Sequence, residues 1–103
     1  MLGTTFSKPT PQSGRILVKR DSGFMGAGCG HRIYLDGTPA AELRAGQAVT
    51  LYVMPGEHII GVLATGICNG NAEASLAVLS GQTKSFRSGP DQSGSLKIQP
   101  TAF

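Results

Sequence analysis

Residues 49–65 read Val-Thr-Leu-Tyr-Val-Met-Pro-Gly-Glu-His-Ile-Ile-Gly-Val-Leu-Ala-Thr, and their pattern decides the fold class. Val49, Leu51 and Val53 alternate with Thr50, Tyr52 and Met54. Beyond Pro55-Gly56, Ile60, Val62 and Ala64 alternate with Ile59 and Leu63. Side chains two apart share one face of a strand, so each half reads as a half-buried strand and Pro-Gly as the turn between them. The expectation is a central β-hairpin of strands 48–54 and 57–65. Leu51, Val53, Ile60 and Val62 would face the core.

Outward from there the same period recurs. Ile16 and Val18 mark a strand near 15–21, and Ile33 and Leu35 one over 31–36. Asp36-Gly37 is a two-residue hairpin signal, returning through a short strand 40–43 whose preceding Pro39 suits an edge. Ala74, Leu76 and Val78 mark a strand over 72–79, Phe86 one over 83–87, and Leu96 and Ile98 the last over 95–99. No stretch has helical periodicity, though 38–43 could hold a helical turn. Seven to eight short strands with Gly-marked turns predict an all-β sandwich or small barrel. Antiparallel sheets are expected because the connections are too short for crossover helices. Residues 1–13, polar and carrying Pro9 and Pro11, read as a flexible N-terminal tether, and 14–103 as a single sandwich domain.

Composition narrows the function classes. The 103 residues include 15 Gly, and 15% are charged, below the ~25% of an average protein. The net charge is +3, but the nine Lys and Arg are scattered along the chain with no basic run. A nucleic-acid binder gathers them on one face, so a dispersed surface and no nucleic-acid partner are expected. No apolar run approaches the ~18 residues of a membrane helix. Met1-Leu2-Gly3 has neither a basic nor an apolar signal region, so the chain is either cytosolic or already stripped of a targeting segment.

Cys29 and Cys68 bear on that choice. Each lies in a Gly-rich loop. Joined, they would close a loop worth up to ~4 kcal/mol in chain entropy; unjoined, they are two free thiols. The disulfide is the favoured reading, and it implies an oxidising compartment.

The residues that could carry chemistry do not assemble into a constellation by spacing. Gly26-Ala27-Gly28-Cys29-Gly30 lacks the helix and the Lys-Ser/Thr of a phosphate loop. Cys29, His31, Cys68 and His58 lack metal-ligand spacing. Cys29 with a histidine base is unfavoured as a nucleophile if it is bonded. The few carboxylates form no pair. No catalytic residue, cofactor or metal is expected. Residues 22–30 attract attention because the segment is long for a strand connection and carries Phe24 and Met25 without periodic reason. These two either cap the open end of the sandwich or form a contact surface, with Arg20, Asp21, His31 and Arg32 as a polar rim.

Three features in order resemble known bacterial domains: Ile33-Tyr34-Leu35-Asp36-Gly37, Met54-Pro55-Gly56-Glu57-His58-Ile59-Ile60, and Ser80-Gly81-Gln82 before a strand. The arrangement resembles the PEGA-type domain, although its Pro-Glu-Gly-Ala tetrapeptide is absent. More closely, it is similar to a family of small bacterial envelope lipoproteins with a PEGA-like, prealbumin-like β-sandwich. The resemblance spans about residues 15–100. It implies a periplasmic or cell-envelope location, with residues 1–13 following a removed lipid-bearing Cys, so that any membrane association would come through that anchor. It carries over no catalytic residues. The expected role is a non-catalytic envelope module for protein contacts or structure. The alternatives are a glycan- or peptidoglycan-binding module, or a small secreted inhibitor or immunity-type protein using residues 22–30.

Overall fold

A computed structural model describes residues 6–21, 29–66, 68, 70–90 and 95–102. Among them, eight strands form in order: β1 (Gly14–Arg20), β2 (His31–Leu35), β3 (Thr38–Leu43), β4 (Ala48–Val53), β5 (Gly56–Ala64), β6 (Asn71–Val78), β7 (Thr83–Pro90) and β8 (Leu96–Pro100). They make two four-stranded sheets. The first has the order β4-β1-β7-β8 and the second β3-β2-β5-β6. The all-β sandwich expected from the periodicity is the observed architecture.

Alternation explains the packing. Ile16, Val18, Leu51, Val53, Phe86 and Ile98 point inward from the first sheet. Ile33, Leu35, Leu43, Ile60, Val62 and Val78 meet them from the second. Asp36 and Gly37 take φ values of 51° and 81°, the left-handed pair that a tight hairpin needs. The β3 return carries a bulge: Ile33 pairs with Ala41 and Tyr34 with Pro39, leaving Ala40 as the extra residue. Residues 38–43, where a helical turn was conceivable, are strand.

Two expectations are corrected. Residues 49–65 are not a hairpin. β4 pairs with β1 in the first sheet, while β5 pairs with β2 and β6 in the second. Pro55-Gly56, with Gly56 at φ 133°, is a crossover from one sheet to the other. Period two on both sides of a turn reports two half-buried strands, but both inner faces of a sandwich satisfy it equally. The sheets are also not wholly antiparallel: β1 and β7 run parallel from Arg15↔Thr83 to Arg20↔Ser88. A crossover helix is needed only when parallel strands are close in sequence. Here β2–β6 intervene, and four of them, β2, β3, β5 and β6, form the other sheet.

The N-terminal segment also differs from a tether over the part described. Phe6 packs against the core, and its carbonyl accepts from Tyr52 N at 2.9 Å. Ser13 is buried and its carbonyl accepts from Gly81 N at 3.2 Å. Residues 1–5 lie outside the described residues.

Because Leu51 is wholly buried and Thr50 faces outward at half exposure, their alanine variants should separate. Leu51→Ala should cost about 2–5 kcal/mol in denaturant titration, and Thr50→Ala less than about 1 kcal/mol. Equal costs would mean that the outer face of β4 is covered.

Candidate functional site at a clamped end of the sandwich

β1 alternates Ile16, Val18 and Arg20 on its inner face, so the strand's last inward position carries a guanidinium into the end of the core. Arg20 is 2% exposed. A charge taken out of water needs protein acceptors. Its Nη1 donates to the carbonyls of Cys29 and of Leu43, the latter at 2.9 Å. Burial lowers its pKa, and the nearby charge of Arg44 adds to this; a guanidinium nevertheless remains cationic.

His31 opens β2 on the same inward face and is 6% exposed. Its Nδ1 lies 3.1 Å from Ser88 Oγ, which is wholly buried. Burial first, then the Arg20 charge, push the imidazole down to about 4, with Asp21 pulling the other way. His31 is therefore neutral at pH 7. Asp21, the residue after β1, donates its N–H to the Ser88 carbonyl at 2.9 Å. Its Oδ1 accepts from Arg87 Nε at 3.1 Å.

Cys29 and Cys68 are bonded, with Cα atoms 6.2 Å apart. Next to the bridge, the Gly30 carbonyl accepts from Thr65 N at 2.9 Å. Arg32 instead points to the outer face of the second sheet, half-exposed, with Nη2 3.3 Å from Glu42 Oε1.

The rim expected around residues 22–30 is thus rearranged. Arg20 and His31 are buried supports, because their parity in β1 and β2 is that of the core residues. Asp21 is a partly exposed shoulder paired with Arg87, and Arg32 stands apart with Glu42. Phe24 and Met25 lie outside the described residues. Ser88 was missed because the strand expected over 83–87 stopped one residue short of it. The signal was available: Ser88 keeps the parity of inward Phe86, and β7 runs on to Pro90.

A second polar knot lies at the other end of β2. Both ring nitrogens of His58 face oxygens, Nδ1 with Asp36 Oδ2 at 2.6 Å and Nε2 with the Met54 carbonyl at 2.7 Å. Asp36 Oδ1 also accepts from Ile59 N at 2.8 Å. Two acceptors call for two N–H donors, which only the imidazolium has. Burial opposes that charge, but the Met54 carbonyl and the Asp36 carboxylate outweigh it and raise the pKa. Burial likewise opposes the Asp36 charge, and the bonds from His58 and Ile59 prevail and lower its pKa. The knot ties the β4–β5 crossover to the β2–β3 turn.

The chemistry open to these groups is limited. Cys29 is no thiolate. Ser88 and His31 sit at hydroxyl–imidazole distance, but a wholly buried hydroxyl offers a substrate no approach. Among the described residues no group of three or more His, Cys, Asp or Glu could hold a metal ion.

No family model matches the chain. No curated protein matches it either. Among solved structures, one similar to this chain is an NMR structure of a protein from Eubacterium rectale. The TM-score is 0.58 at 9% identity, over 89% of this chain and 91% of that one. Likeness at that identity concerns the fold.

The two histidines should give opposite pH responses. His31 has a depressed folded pKa, so its neutral form adds stability above the unfolded value of ~6.5, lost as pH falls toward about 4. His58 has a raised folded pKa, so its contribution is complete below ~6.5 and disappears as pH rises through the folded value. Denaturation at a series of pH values should show that His31→Asn flattens the acid limb and His58→Asn the neutral-to-alkaline limb. The reverse assignment would refute the geometry. Intact mass should rise by two hydrogens on reduction of native protein, and free-thiol labelling of Cys29 or Cys68 before reduction would contradict the bridge.

Proposed function

We propose that this chain is a non-catalytic β-sandwich module of a bacterial envelope, making protein contacts at its clamped end. One observation carries the reading: the residues that flank 22–28 are fixed on both sides. On one side Arg20 binds the carbonyls of Cys29 and Leu43, and Asp21 is held by Ser88 and Arg87. On the other, Cys29 is bonded to Cys68 and Gly30 to Thr65. Anchored ends reduce the ordering entropy that a connecting segment loses on binding. A disulfide suits an oxidising compartment outside the cytoplasm. The lipoprotein resemblance adds the envelope and the lipid anchor to the proposal.

The double substitution Phe24→Ser, Met25→Ser tests it. The contact role predicts an unchanged melting temperature and the loss of a partner captured from an envelope fraction by the wild-type protein. A melting temperature lower by about 10 °C, roughly 2 kcal/mol in a domain of this size, would place the pair in the core and overturn the reading.

A further inference from the structure

Gly61 sits in the middle of β5, a central strand of the second sheet. A glycine there weakens the strand, and its usual reasons are a bulge, a tight bend or the close approach of a ligand or another chain. The register runs unbroken through Gly61 to both neighbouring strands, which removes the bulge. The other glycines among the described residues either take positive φ or stand where a Cβ would collide with a neighbour. Gly61 does neither. A Cβ there would meet Ala72 O and Glu73 Cγ at 3.5 Å and Tyr34 Cβ at 3.8 Å, which is ordinary contact. Backbone and packing would both accept alanine. What the glycine provides is room on the outer face of the sheet.

Register sets what borders that room. Tyr34 on β2 and Glu73 on β6 lie directly opposite Gly61, one on each side. Both alternate with core-facing residues, so they face outward with it. Across two strand spacings their Cβ atoms are about 10 Å apart, with no side chain between them. The result is a cavity of about 350 Å³, which Gly37, Leu63 and Asn71 also line. That is at the small end for a ligand site and suits one side chain rather than an oligomer. An aromatic neighbour can offset the weakness of a strand glycine, but it does not call for one. Nor does it account for the carboxylate on the other side.

That carboxylate is unbalanced. Among the described residues Glu73 makes no hydrogen bond or ion pair, and neither does Glu57, four residues from Gly61 on the same face of β5. All nine Lys and Arg of the chain are among those residues, so no further basic side chain is left to pair with either. The cation nearest by register, Arg32 opposite Leu63, is held by Glu42 at 3.3 Å. Asp36 is occupied by His58 and by the Ile59 N–H. Between the two free carboxylates Ile59 stands 47% exposed. It lines a second cavity of about 550 Å³ with Glu57, Ser75 and Ala77.

From this we propose that the outer face of the second sheet binds a basic, extended segment of a partner protein. One arginine side chain lies over Gly61, with its guanidinium against the Tyr34 ring and its N–H groups donating to the Glu73 carboxylate. The site is separate from the contact proposed for the clamped end. Its chemistry selects the occupant. A free anion is repelled by the two carboxylates. A neutral sugar would use the ring and leave the charge unbalanced. A guanidinium uses both, because it stacks on an aromatic face and pairs bidentately with a carboxylate. Glu57 lies about 13 Å along β5, the span of four residues of extended chain, and takes a second cation of the same segment.

The test is a nuclear magnetic resonance titration of the intact protein with a capped Ser-Arg-Gly-Ser-Gly-Arg-Ser peptide, whose two arginines have that spacing. Concentration-dependent shifts at the amides of Tyr34, Gly61 and Glu73 are expected. The same peptide with citrulline for arginine keeps the shape and loses the charge, and should bind at least about fivefold more weakly. Glu73→Gln should weaken binding about fivefold, and Tyr34→Leu about threefold. Gly61→Ala should melt no lower than the wild type, and Gly61→Val, a residue suited to strands, should fill the notch and lower affinity at least about tenfold. Should Gly61→Val not fold, Glu73→Gln and Tyr34→Leu carry the test. A melting temperature lowered by more than about 5 °C in Gly61→Ala would show that the fold itself needs the glycine and overturn the proposal. Equal affinity for the citrulline peptide, or no shift at these amides, would also overturn it. Self-association of the free protein that Glu73→Gln abolishes would make the occupant a second copy and refute the foreign partner.

Discussion

A guanidinium carried out of water at the end of β1 has to be solvated by protein oxygen, and much of this sandwich is arranged around that requirement. Arg20 finds its acceptors in the carbonyls of Cys29 and Leu43. One belongs to the segment entering β2 and the other to the end of β3. The first sheet thus reaches into the second through a charge-assisted bond rather than through apolar contact alone. The same charge sits beside His31 and helps to keep it neutral, so that its ring can share a buried site with Ser88. Removing Arg20 would leave carbonyls unpaired in the interior, which costs more than the bond itself contributes.

That arrangement separates support from display. The buried polar groups are committed to holding the strands, while on the outer face of the first sheet Arg15 makes turn contacts and Arg87 bonds Asp21. Charge is also sorted between the two sheets, six of the nine Lys and Arg and no Asp or Glu lying in the strands of the first, while the inner faces stay apolar except at the Arg20, His31 and Ser88 end. Nothing in the packing of a sandwich demands such sorting, because an outer face tolerates either sign. A face without carboxylates in its strands bears repulsion that mixed charges would avoid.

The sequence disclosed the elements more readily than their partners. Period two in Ile16–Val18, Ile33–Leu35, Leu51–Val53 and Ile60–Val62 reports half-burial, and half-burial is local. The Asp36-Gly37 turn was legible because its φ values demand those residue types. The cysteines were legible because two in one small domain leave one possible pairing. Pairing between strands is not local. β4 and β5 share a period but part company at Pro55-Gly56, and β1 finds β7 across more than sixty residues. Charge sorting was hidden for the same reason, since Lys19, Arg87 and Lys97 become neighbours only once the parallel register exists. The burial of Arg20 and His31 could have been read from parity. Their charge and their position beside a Gly-rich segment argued for the surface, and parity prevailed because each found partners inside.

The ties sit where a sandwich with a small core is most exposed to opening. Strands in one sheet are held by ladders of backbone bonds, but the two sheets are joined only by side-chain packing and by the segments that pass between them. At the β4–β5 passage, His58 bonds the Met54 carbonyl and Asp36 together, locking the crossover to a hairpin of the second sheet. At the opposite end, the disulfide joins the entry of β2 to the β5–β6 connection, and Arg20 reaches across from β1. One end is therefore held by an ion pair that responds to pH, and the other by a covalent bond with a permanently charged group. A rise in pH through the folded pKa of His58 would loosen that end first, leaving the anchors that flank residues 22–28 in place while the crossover relaxes.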